Sequence, residues 1–103
     1  MMHISFYVPL DHAEKVKDAM FVAGGGKIGT YDRCSFEFQG VGQFRPVQNS
    51  QPFIGVQGVL EKVPELKVEM VCEEQLIHAV IDALKSSHPY ETPAYYVIKT
   101  LGL

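Results

Sequence analysis

Leu66-Lys67-Val68-Glu69-Met70-Val71-Cys72-Glu73-Glu74-Gln75-Leu76-Ile77-His78-Ala79-Val80-Ile81-Asp82-Ala83-Leu84 changes its period in mid-course. In the first half Leu66, Val68 and Met70 alternate with Lys67 and Glu69, the pattern of a half-buried strand running to about Cys72. In the second half Leu76, Ile77, Val80, Ile81 and Leu84 recur at helical spacing. Glu73 and Glu74 then stand at the positive end of that helix. The next four residues are His88-Pro89-Tyr90-Glu91. Proline cannot continue a helix and biases the residue before it away from helical angles, so the helix ends here.

The same strand-then-helix order precedes this stretch. Ile4, Phe6 and Val8 alternate with His3, Ser5 and Tyr7, and Pro9 ends the run. Asp11 and Glu14 have capping-box spacing ahead of Val16, Ala19, Met20 and Ala23, with Gly24 as a natural helix terminator. Cys34, Phe36 and Phe38 alternate with Ser35, Glu37 and Gln39, which predicts a strand with the first three turned to the core. Residues 40–58, rich in Gly, Pro, Gln and Asn, read as a long excursion, and Pro93 to Lys99 as a closing strand. Strands are thus expected near 3–9, 33–40, 58–71 and 93–99, with helices near 12–23 and 73–87.

That order, βαββαβ, predicts an α+β, ferredoxin-like sandwich: an antiparallel sheet of spatial order 4-1-3-2 with both helices on one face. Residues 1–103 read as one domain, of ordinary size for a single core. The topology puts the 40–58 excursion and the His88 turn at one end of the sheet. It puts the Gly24–Arg33 turn at the other, near His3 and Cys72. Tyr7, Val71, Tyr95 and Val97 are expected on the face the helices leave bare, an apolar patch that marks an interaction surface.

Composition narrows the function classes. Apolar residues make up 47% and charged residues 20%, with a net charge of −3, so a soluble globular protein without a nucleic-acid footprint is expected. No apolar run approaches the roughly 18 residues a membrane helix needs. Met1-Met2-His3-Ile4-Ser5 has neither a basic nor an apolar leader region, and Cys34 and Cys72 lack zinc-type spacing. These features point to a cytoplasmic protein with reduced thiols. Both cysteines read as small core residues.

Two turns carry the remaining chemistry. His88 can meet the negative end of its helix and Tyr90 can pack while its hydroxyl finds a partner, which is a structural reading. His88 and Glu91 as an exposed N/O recognition pair is the functional one. The excursion contains Phe44, Val47, Phe53, Ile54 and Val56, too apolar to stand free in water. It is expected to be ordered and close to His88 and Glu91, forming a cleft with Tyr90 and with Phe53 as an apolar wall. In the other turn Gly24, Gly25, Gly26 and Gly29 follow a helix and lead into a strand, the wrong polarity for a phosphate loop. Lys27 is its candidate anion contact, and Ile28 and Tyr31 are expected to pack beneath it. His3, His12 and His78 stand isolated, and no Ser/His/Asp order or paired acid suits catalysis.

The stretch from Gly24 to Phe36, the later Gln51-Pro52-Phe53-Ile54-Gly55, and His88–Glu91 followed by Ala94-Tyr95 resemble the insert domain of the Nif-three-like dimetal proteins of the YqfO type. The resemblance covers essentially the whole chain, with three separated motifs in the right order. It implies a PII/CutA-like fold, because that module is similar to the PII signalling proteins and the CutA trimers. It also implies the module standing alone, without the flanking domains that carry the family's metal ligands. Dimetal chemistry therefore transfers to no residue here, and neither an enzyme nor a cofactor is expected. The implied function is a non-catalytic regulatory or ligand-binding homo-oligomer, trimer before dimer, with a small-molecule or protein partner. The alternative is a divalent metal ion bound by His88 and Glu91, with His3 of another subunit.

Overall fold

A computed structural model describes residues 1–102. Its elements run β1 (Met2–Pro9), α1 (Ala13–Val22), β2 (Phe36–Phe44), β3 (Glu61–Cys72), α2 (Ile77–Ser87) and β4 (Tyr95–Lys99). The strands lie in the order β2-β3-β1-β4 and every ladder is antiparallel, so the 4-1-3-2 arrangement expected from the sequence is the one formed. Ile4, Phe6 and Val8 from β1, with Val68, Met70 and Cys72 from β3, meet Ala13, Val16 and Met20 of α1 and Val80 and Leu84 of α2 in one core. The period-2 and period-3.6 stripes of the sequence are the two sides of that core.

The first helix starts differently from expectation. Asp11 makes no cap; its carboxylate takes the Nδ1 of His12 at 3.0 Å, inside a 3-10 turn over Leu10–His12 that delays α1 to Ala13. The end of α1 follows expectation. Gly24, at φ +114°, donates to Phe21 O and Gly25 donates to Met20 O, the paired bonds of a Schellman closure. Gly26 then donates to Val71 O and accepts from Cys34 N, which ties the turn to the far end of β3. A Cβ on Gly26, at φ +76°, would stand 2.7 Å from the Phe21 ring and 2.9 Å from Cys34 O. Gly26→Ala should therefore lower unfolding stability by about 1–3 kcal/mol, read as a shifted urea midpoint. An unchanged midpoint would mean the turn relaxes around the methyl. Ile28 and Tyr31 do not pack beneath this turn. They form a small two-bond bridge whose side chains are exposed.

The largest corrections concern β2 and β4. Gly40 to Phe44 continue the ladder opposite Glu65 to Glu61, so the connecting loop is residues 45–60 and not 40–58. Phe36 and Phe38 face away from the helices, 65% and 49% exposed, while Glu37 faces α1 and pairs with Lys17 at 2.6 Å. Cys34 precedes the strand and is half-buried. Alternation reveals that a strand has two faces, not which one meets the core; β2 is an edge strand, exposed along most of its length. In β4 the register sets Tyr95 beside Phe6 and Val97 beside Ile4, so both pack on the core and Tyr96 and Ile98 point outward. Tyr7 and Val71 do lie on the bare face, opposite Lys67 and His3.

A candidate ligand cleft

Three parts of the chain meet at the Pro9 end of β1: the distal β2–β3 hairpin, the 45–60 loop and the turn after α2. That turn is built around His88, which caps α2 by donating its N–H to Leu84 O and then leaves helical angles at ψ 136°. The side chain is 7% exposed and uses both ring nitrogens. Nδ1 accepts from Tyr90 N–H at 3.1 Å, so Nε2 carries the proton and donates to Tyr7 O at 2.7 Å. Burial holds the imidazolium pKa below its ordinary value, outweighing the Tyr7 carbonyl and Glu65, which favour the charged form. His88 is thus a neutral bracket between β1 and the turn.

Tyr90 projects from that bracket across the sheet end. Its hydroxyl donates to Glu65 Oε2 at 2.8 Å. Burial first, then the Glu65 hydrogen bond and charge, push that phenol well above its usual range, so it remains a donor. Glu65 is 8% exposed and lies over Gly42, where a Cβ would collide with Oε1 and stand 2.6 Å from Cδ. The glycine is there because the carboxylate occupies its side-chain space. Phe44 and Phe53 stand with ring centroids 6.0 and 6.4 Å from Tyr90, and His12 meets Phe53 edge-on at 5.3 Å. Glu91 Oε2 accepts from Gln51 N–H at 3.0 Å, linking turn and loop. Within the loop, Gly58 donates to the buried Pro46 carbonyl at 2.6 Å. Together they enclose a cavity of about 380 Å³ lined by Tyr7, Phe44, Phe53, Glu65 and Tyr90, with Arg45 and Glu91 also on its wall.

Of the residues singled out in the sequence, Phe53, Tyr90 and Glu91 line this cavity and His88 stands behind it. Lys27 is exposed in the glycine turn, at the Val71 end of the sheet. Both ring nitrogens of His88 are taken, by Tyr7 O and Tyr90 N–H, and His3 of the same chain lies 3.8 Å from Glu69 at the opposite end of β1. Among the described residues no group of three or more His, Cys, Asp or Glu is placed to hold a metal ion. The cavity-lining residues that sequence reasoning passed over include Glu65, Gly42 and Arg45, and His12, expected to stand isolated, meets Phe53 instead. Only the β2–β3 register could have revealed the first two. Cys72 is buried, its thiol pushed up by that burial, and has no nucleophilic setting.

No family model matches the chain. Among curated proteins it is 46% identical, over 94% of its length, to the GTP cyclohydrolase 1 type 2 homolog of Halalkalibacterium halodurans. It is 44% identical over 89% of its length to the protein of that name from Bacillus subtilis. The chain spans only 28% and 25% of those proteins. Among solved structures it superposes on a Bacillus cereus protein related to NIF3 with TM-score 0.80 and 38% identity, covering 93% of this chain and 24% of that one. CutA1 from Pyrococcus horikoshii matches with TM-score 0.72 at 18% identity, over 100% of this chain and 86% of that one, a likeness of fold.

Proposed function

The chain belongs to the NIF3-related, YqfO-type family, as the counterpart of one region of its longer members, and from that premise we propose that it is a non-catalytic ligand-binding module. On this reading residues 1–103 act as one domain, in the cytoplasm, as a homo-oligomer. The observation that carries the reading is the aromatic cavity at the junction of the 45–60 loop and the His88–Ala94 turn, of a volume typical of small-ligand sites. The GTP cyclohydrolase wording belongs to the longer relatives' name. In this chain the buried histidine is committed to two backbone groups and burial pushes the Cys72 thiol up, which supports binding rather than turnover. None of the described helices is long and apolar enough to cross a membrane.

A mixed set of small aromatic fragments titrated into ¹⁵N-labelled protein tests the cleft. Shifts should concentrate at Phe44, Tyr90 and Glu91, and Phe53→Ala should weaken the affinity about tenfold, roughly one lost aromatic wall. Shifts that cluster elsewhere, or survive the substitution undiminished, place the ligand site in another part of the molecule.

A further inference from the structure

Glu65 is the only acid among the described residues that is more than nine-tenths buried, and no Lys, Arg or His lies within ion-pair distance of it. A buried carboxylate is strongly disfavoured unless something compensates its charge. Tyr90 satisfies one oxygen, Oε2. The other, Oε1, lies in the space that Gly42 leaves open, beside the cavity. Lys67, two residues along the same strand face, does not close on it. Its Nζ sits 6.0 Å from the Tyr7 ring centroid and 5.8 Å from that of Phe38.

The walls suit the same kind of charge. Tyr7, Phe44, Phe53 and Tyr90 line the cavity, and aromatic faces attract cations through their quadrupoles. An anionic head would meet Glu65 at the wall and only Arg45 in compensation. We infer that the cleft takes a small organic cation, its ammonium or guanidinium head seated on Glu65 Oε1 among the Tyr7, Phe44 and Tyr90 rings and its apolar part against Phe53. This ligand class presupposes the cleft proposed above, and deepens it.

Three probes of similar size separate the two ideas: 2-phenylethylamine, 2-phenylethanol and phenylacetate, each titrated into the unaltered chain at neutral pH and followed by ¹⁵N shifts. The amine should bind at least tenfold more tightly than the alcohol, at Gly42, Phe44 and Tyr90, with a preference that shrinks as salt is raised. Glu65→Gln, which keeps the volume and an acceptor for the Tyr90 hydroxyl, should bring the amine-to-alcohol affinity ratio down to about one. If the alcohol or phenylacetate binds there as tightly as the amine, the cation inference is overturned and the cleft stands. If none of the three perturbs those resonances, the cleft reading falls and takes the inference with it. The amine-to-alcohol ratio on the unaltered chain decides the matter even if Glu65→Gln fails to fold.

Discussion

His88→Ala is expected to lower the stability of the folded chain by about 2–5 kcal/mol, because it strands two half-buried backbone groups at once and empties a buried ring site. Tyr7 O loses its donor and Tyr90 N–H loses its acceptor. Each unsatisfied group costs about 1–3 kcal/mol, and the lost ring leaves a cavity under Tyr90, which it contacts at a 4.9 Å centroid distance. Against a total stability of about 5–15 kcal/mol for a small domain, that is a large fraction. Urea denaturation followed by circular dichroism measures it. A loss below about 1 kcal/mol would show that water replaces both bonds.

The same histidine sets a pH dependence whose sign follows from its burial. Its folded pKa lies below the ordinary 6.5, so the unfolded chain binds a proton that the folded chain refuses. Unfolding stability therefore falls as pH drops through 6.5 and keeps falling until the folded pKa is passed; above 6.5 the residue contributes no slope. His88→Gln should remove that part of the slope. An unchanged acid limb in the variant would assign it to other groups.

The sequence made parts of this architecture legible for definite reasons. The switch from Leu66–Met70 to Leu76–Leu84 is a change of period within one short stretch, and Pro89 bars any continuation, so β3, α2 and the turn could be read directly. The phase of β2 could not. Phe36, Phe38 and Cys34 are as apolar as any core triplet, and only the ladder opposite Lys67 and Glu69 shows that Phe36 and Phe38 point outward. In β4 a five-residue strand rich in apolar side chains on both faces carries almost no phase information, which is why Tyr95 and Val97 were expected outside. Gly42 reads as a breaker because its reason for being glycine, the carboxylate of Glu65 over it, lies on another strand. The His88–Glu91 turn announced itself through its proline. Glu65, one of three glutamates alternating along β3 with apolar or basic neighbours, had nothing local to distinguish it.

Two phenylalanines on opposite faces of the sheet give the sharpest contrast. Phe6 is fully buried between the sheet and both helices, and Phe6→Ala should remove about 3–5 kcal/mol, read as a lowered urea midpoint. Phe38, on the bare face of the edge strand, should behave differently. In an isolated chain its loss would fall within about 0.5 kcal/mol. But Phe36, Phe38, Tyr96 and Ile98 together leave that face apolar, and β2 ends the sheet with an unpaired edge. Proteins seldom leave such an edge and patch uncovered. If a second or third copy covers them, as the homo-oligomer reading requires, Phe38→Ala should lower the molar mass seen by light scattering at tens of micromolar. Its thermal midpoint should then depend on concentration, as mass action demands. A monomeric unaltered chain at that concentration sinks the oligomer. A Phe38→Ala chain that assembles as before moves the interface away from this face.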